Sequence, residues 1–151
     1  MALGDALAVV LLDARGFREE DFARSHPGGA LGRKLLTHLA DVMRTGEAVP
    51  RVGPDTPFTE LMREMSQKGL GVSAVVDEAG QILGIFTDGD LRRALGRGID
   101  INSARAQDIM TQNPVRAHAP MALGEAARIM EDRPSQISVL PVTEAATQRC
   151  L

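Results

Sequence analysis

The sequence predicts a mixed α/β (α+β) fold made from two copies of one small unit, each with short strands and flanking helices. Three observations carry this. After Pro50, apolar positions at helical spacing alternate with short Val- and Ile-rich runs and Gly-bearing turns. The pattern returns 65 residues later, Leu61 falling on Ala126 and Met65 on Met130. The chain has 151 residues, 44% hydrophobic and 25% charged, a globular balance sufficient for one ordinary core or two very small ones.

The elements follow in order. Ala2, Leu3, Ala6, Leu7, Val9, Val10, Leu11, Leu12 and Ala14 cover nearly every side of a helix, which predicts burial in a larger body. Little precedes them that could bury them, so the sequence reads as part of a longer protein. Ser25-His26-Pro27-Gly28-Gly29 must break a helix. Leu31, Leu35, Leu36, Leu39, Val42 and Met43 then resume helical spacing. Thr56 as a hydroxyl cap and Pro57 at the first helical position start a helix whose stripe is Phe58, Leu61, Met62 and Met65, and Gly69 ends it. Val72–Val76 is a strand, Asp77–Gly80 its turn and Gln81–Phe86 a second strand, with a further helix starting at Thr87.

The repeat extends these assignments. Arg51 meets Arg116, Val72 meets Ile137 and Ala74 meets Val139, while Asp41-Val42-Met43 matches Asp108-Ile109-Met110 with a two-residue loop difference. The second copy is expected to lack its last strand and helix, leaving an edge that favours pairing with another chain. Met62, Met65, Ile129 and Met130 are the helical residues expected to pack within or between units.

Composition excludes several classes. Net charge is −3 and aromatics are four Phe alone, a poor match to a nucleic-acid backbone or to stacked bases. The apolar run Ala6–Leu12 is bounded by Asp5 and Asp13 and is too short to span a bilayer. One Cys, Cys150, allows neither an internal disulfide nor a cysteine zinc cage, and His38 and His118 lack partners at metal-ligand spacing. A cytoplasmic chain with no metal, nucleic acid or membrane partner is expected.

Asp41-Val42-Met43, the Thr56–Leu70 helix and Gly84-Ile85-Phe86-Thr87-Asp88-Gly89-Asp90-Leu91-Arg92-Arg93 resemble a cystathionine-β-synthase (CBS) domain, and the two copies resemble a CBS pair. Upstream, Met1–Ala8 and Ser25–Arg33 resemble the end of a sugar isomerase (SIS) domain. That order is similar to the bacterial D-arabinose 5-phosphate isomerases. The resemblance implies a SIS tail over 1–36, a first CBS unit over 37–100 and an incomplete second over 101–151. It implies a homodimer through the CBS units and a tetramer for the longer protein.

Physically, Gly84 allows close backbone approach, and Thr87 sets a hydroxyl where a helix begins, a position suited to phosphate. Asp90, expected on the first turn of a surface helix, can accept from a ribose diol, and Arg92 or Arg93 can screen a phosphate. The same Thr and Asp serve equally as a helix cap. The resemblance assigns Thr87 and Asp90 to a nucleotide between the repeats, and the physical reading adds Gly84 and Arg92: a regulatory ligand, CMP-Kdo or an adenosine nucleotide such as AMP or ATP, with no catalytic cofactor. It places His26 in an isomerase active site, idle here because the residues that position a sugar phosphate are missing. The rival is a purely structural dimerisation module. Asp88-Gly89-Asp90 imitates a phosphatase aspartate pair, but the expected Thr does not follow, and Gly29–Lys34 fails the phosphate-loop pattern.

Overall fold

The computed structural model describes residues 37–151 and, ahead of them, Gly29. The SIS-like tail over 1–36, His26 included, otherwise lies outside the described residues. The elements are α1 (Leu39–Val42), a 3-10 turn (Gly46–Ala48), β1 (Arg51–Val52), α2 (Phe58–Lys68), β2 (Val72–Val76), β3 (Ile82–Thr87), α3 (Asp88–Gly96), α4 (Ala106–Ile109), β4 (Thr111–Gln112), β5 (Ala117–His118), α5 (Leu123–Glu131) and β6 (Val142–Thr143). One sheet runs β1-β2-β3-β4 and a second pairs β5 with β6. No helix among the described residues is long and apolar enough to cross a membrane.

The first unit is built on a crossover. β1 and β2 are parallel, so the chain must return through an intervening element, and α2 supplies it. Leu61 and Met65 are the buried face of α2, Glu60 sits in its first turn and Lys68 in its last, each matching the helix dipole. Gly69 ends the helix at φ +66°, as its position in the sequence suggests. The start lies one residue later than expected. Pro57 is the N-cap with extended ψ and no side-chain cap bond, because Thr56 and Pro57 are used elsewhere. The Thr56 carbonyl accepts from Ala106 N at 2.9 Å and Pro57 bridges Arg105. Phe86, Leu61 and Val75 are fully buried, and Phe58 meets Phe86 edge to face at 6.3 Å and 85°. β2 is covered on both faces: Val75 joins Leu61 and Phe86, while Ala74 packs with Ile82 and Cys150.

The two units exchange their leading segments. Leu123 N donates to Thr37 O at 2.8 Å, Leu39 N to Met121 O at 2.9 Å and Ala40 N to Ala119 O at 3.1 Å. The mirror set is Phe58 N to Ala104 O at 3.1 Å, Ala106 N to Thr56 O at 2.9 Å and Gln107 N to Pro54 O at 3.0 Å. Asp41 and Asp108 close the same turn, accepting from His38 N at 2.8 Å and Arg105 N at 2.9 Å. Leu39 is buried with Ala117 and Ala126 of the second unit, and Ala106 and Ile109 with Leu61 and Phe86 of the first. The match between Asp41-Val42-Met43 and Asp108-Ile109-Met110 is therefore a structural one. Each motif precedes one unit in sequence and packs on the other in space.

The second unit departs from the 65-residue offset. β1 pairs with β2 through Val52 opposite Val75, and β5 pairs with β6 through Ala117 opposite Val142. Ala117 keeps the offset from Val52, whereas Val142 lies two residues beyond it, so Ile137 and Val139 do not take the strand places of Val72 and Ala74. The cause sits at the helix exit. Pro134 occupies the place of Gly69, and a proline cannot adopt the left-handed cap that ends α2. α5 leaves through Asp132 instead, and the strand forms later. A return strand does begin. Thr143 bridges Cys150, Leu151 N donates to Val142 O at 3.0 Å, and Arg149 bridges Gln81 of the first hairpin.

Gly84 is a correction to the expected ligand contact. It pairs with Val75 and Gln112 inside the sheet, and a Cβ there would lie 2.5 Å from Met110 Sδ and 2.8 Å from Thr111 O. Its missing side chain makes room for the segment entering β4 rather than for a ligand. Gly84→Ala should therefore destabilise the fold by about 1–3 kcal/mol in urea titration, since the backbone oxygen cannot move aside without breaking β3–β4 pairing. A variant as stable as wild type would show that β4 can yield.

Candidate functional site

A cleft of about 490 Å³ opens between the start of α3 and the 135–139 segment of the second unit. Thr87, Asp88, Gly89, Arg92 and Arg93 form one wall. Leu70, Ile85, Ile137 and Val139 form an apolar surface, and Ser135, Gln136 and Ser138 add polar groups opposite α3. Leu70, Ile85 and Val139 also border an almost wholly apolar cavity of about 330 Å³ between the first sheet and α5. Met130 lines that cavity, Met65 lies in the first core and Met62 packs against it.

The polar wall follows from the cap of α3. Thr87 has extended backbone and is the N-cap; Asp90 is the third helical residue. Asp90 N donates to Thr87 Oγ1 at 3.3 Å, and Thr87 N donates back to Asp90 Oδ2 at 2.9 Å, a reciprocal capping box. The Thr87 hydroxyl also donates to Asp90 Oδ2 at 2.7 Å. Because α3 starts at the cleft, the positive end of its dipole faces it, an arrangement that suits an anion.

Asp90 differs from its expected place on a surface helix: it is only 4% exposed. Its second oxygen, Oδ1, accepts from Arg93 Nη2 at 2.6 Å and from Thr111 Oγ1 at 2.6 Å. Burial alone raises the carboxyl pKa. The hydrogen bonds from Thr111, Thr87 and Arg93 and from the Thr87 amide together outweigh it, and the net direction is down. Helical spacing placed Asp90 on the exposed turn; Thr111, remote in sequence, covers it.

Of the residues singled out in the sequence, Thr87, Asp90 and Arg92 line the cleft and Gly84 does not. His38 and His118 lie elsewhere. His38 Nδ1 is 3.9 Å from Asp41, and His118 Nδ1 is 3.3 Å from the Thr143 hydroxyl. Sequence reasoning missed the apolar wall and Thr111. Ile85 was findable, since strand alternation turns it away from Phe86; Thr111 carries no local signal.

A carboxylate with lowered pKa contributes stability above its unfolded value, and that contribution is lost as pH falls through the folded one. The advantage of wild type over Asp90→Asn should therefore be full above about pH 5 and decline below about pH 4. At neutral pH, Asp90→Ala should cost about 1–3 kcal/mol by leaving buried donors unpaired. Urea midpoints across pH check both, and a pH-independent difference would show that Asp90 carries no linked proton.

Comparison with known proteins places this geometry. The CBS domain family matches residues 39–97 and 106–148. The arabinose 5-phosphate isomerase KdsD of Pseudomonas aeruginosa is 52% identical over 145 residues, covering 96% of this chain but 44% of that protein. The chain thus spans less than half the length of this curated relative. Among solved structures, the CBS domain pair of protein MJ0100, in complex with 5′-methylthioadenosine and S-adenosyl-L-methionine, superposes with TM-score 0.64 at 24% identity, covering 76% of this chain and 85% of that one. CBSX2 in complex with AMP gives TM-score 0.62 at 22% identity, covering 76% and 86%. With the tandem repeat, the exchanged segments and a family match over both units, the chain belongs to the CBS-domain family, as a tandem pair.

Proposed function

We propose that the chain is the regulatory, nucleotide-sensing CBS pair of an arabinose 5-phosphate isomerase. The observation that carries the reading is the two-sided cleft: a helix start with Arg92 and Arg93 on one side, and the apolar surface of Ile85, Ile137 and Val139 on the other. Such a cleft fits a ligand with one anionic and one planar apolar part. In this reading the phosphate lies against Thr87, the start of α3 and Arg92. The base lies on Ile85 and Val139, and the ribose hydroxyls turn toward Asp90. The complexes of CBS-pair relatives with AMP and with S-adenosyl-L-methionine support a nucleotide, and the identity to KdsD supports the parent enzyme.

The parent activity in this reading interconverts ribulose 5-phosphate and arabinose 5-phosphate in the cytoplasm, toward Kdo of lipopolysaccharide. CMP-Kdo is the effector suggested by that route, and AMP or ATP by the relatives. Self-association through the CBS helices as a homodimer, and as a tetramer in the longer protein, completes the proposal. The exposed Leu95 on α3 supplies apolar surface for such contact.

Thermal-shift and calorimetric titration with CMP-Kdo, CMP and AMP test the ligand. One present at a hundred times its Kd should stabilise the native state by about 2.7 kcal/mol. Binding of none of them, in a chain that sediments as a dimer, would favour the purely structural dimerisation module instead.

The chain alone should not turn over ribulose 5-phosphate. His26 by itself cannot supply the orientation of substrate, which is worth on the order of 7–11 kcal/mol of barrier. A discontinuous assay for arabinose 5-phosphate checks this, and turnover above background would overturn it.

A further inference from the structure

We propose that Arg93 is an exchangeable arm of the cleft. An anionic ligand draws its guanidinium off Asp90 and onto the ligand's phosphate, and the acceptor position freed on Asp90 Oδ1 takes a ligand hydroxyl. The proposal rests on the nucleotide reading above and deepens it.

Asp90 is saturated with donors. Oδ2 accepts from the Thr87 amide and hydroxyl, and Oδ1 from Arg93 and Thr111. A carboxylate oxygen offers about two acceptor directions, so both oxygens are filled. A ribose hydroxyl can be accepted only when one of these donors leaves. Three of them are fixed. The Thr87 amide belongs to the capping box, the Thr87 hydroxyl is anchored beside Asp90 by accepting from its amide, and Thr111 is held in β4 opposite Ile85. Arg93 is the fourth, a long arm whose side chain is 56% exposed against 4% for Asp90.

Arg93 is also within reach of the place an anion would take. Its guanidinium lies beside Gly89 in the first turn of α3, with Nη1 3.4 Å from where a Cβ on Gly89 would stand. Arg93, Asp90 and Thr111 border both the cleft and a smaller polar cavity of about 200 Å³ that Arg97 and Asp108 also line. The guanidinium therefore stands between two spaces and can turn without unpacking the helix.

The exchange balances its charges. The Arg93–Asp90 bond is replaced by an Arg93–phosphate bond and a hydroxyl–carboxylate bond, both charge-assisted. A nucleoside offers the hydroxyl without the anion, so it must displace Arg93 with no new partner for it. Preference for phosphate over nucleoside should thus reside in Arg93.

Calorimetry of the 151-residue chain with AMP, adenosine, CMP and cytidine tests this. Arg93→Gln should weaken the monophosphate by about ten- to a hundredfold and leave the nucleoside unchanged or tighter, so that the ratio between them collapses. Thr111→Val opens an acceptor on Asp90 Oδ1 that a ligand hydroxyl can take without displacing Arg93, so it should tighten the nucleoside and leave the monophosphate no weaker, unlike the loss expected from Arg93→Gln. An unmoved ratio in Arg93→Gln, or a monophosphate weakened as much by Thr111→Val, would overturn the exchange and leave Arg93 a structural partner of Asp90. Wild type binding none of these, nor CMP-Kdo, removes the nucleotide reading and the exchange together, whereas wild-type binding with an unmoved ratio removes the exchange alone.

Discussion

Six backbone hydrogen bonds, three in each direction, tie residues 37–40 to the second unit and 104–107 to the first. α1 and α4 are single turns, far too short to persist alone, and they exist because their leading amides find carbonyls on the opposite unit. Separating the units would strand those groups and expose Leu39, Ala106 and Ile109. The pair is therefore held together by bonds that each unit makes to the other's leading segment.

Asp90 applies the same logic on a smaller scale. A buried charge is tolerable only when fully hydrogen-bonded, and this one joins the start of α3, its second turn and β4. Gly84 permits the arrangement by letting the segment that enters β4 approach β3 closely enough for Thr111 to reach the carboxylate. The start of α3 is thus held in place by the protein's own bonds, an arrangement that would lower the ordering cost of any binding there.

Much of this was legible in the sequence, and the failures have physical causes. The α2 stripe, the Gly69 stop, the β2–β3 hairpin and the repeated Asp-hydrophobic-Met motif all rest on local periodicity, turn chemistry or self-similarity. The exchange of segments was not legible, because a repeat says which segments are equivalent and not which copy each one touches. Asp90 looked exposed because helical spacing counts only neighbours along the helix. The register of the second strand failed because an offset read from the helices was carried past Pro134, where the chain leaves its helix differently. For the site, Thr87 and Arg92 were visible as chemistry at a helix start. The wall opposite draws on both units, Leu70 and Ile85 from the first and Ile137 and Val139 from the second, and had no signal of its own beyond strand alternation at Ile85.

That difference at Pro134 gives the cleft its character. In the first unit the left-handed Gly69 turns the chain directly into β2, and the segment disappears into the sheet. In the second, the proline delays the strand, so Ser135, Gln136 and Ser138 remain outside the ladder and face the start of α3. The start of α3 and the 135–139 loop thus belong to different units and differ in how they are hydrogen-bonded. One is a capped helix welded by a buried carboxylate; the other is a loop with few bonds of its own, of which Ile137 N to Met130 O at 3.1 Å is one. A ligand that touches both would have differential affinity for positions of the loop and not for positions of α3. It follows from linkage that whatever else senses that loop, whether α5 or a neighbouring chain packed on it, would be coupled to ligand occupancy by the same free energy.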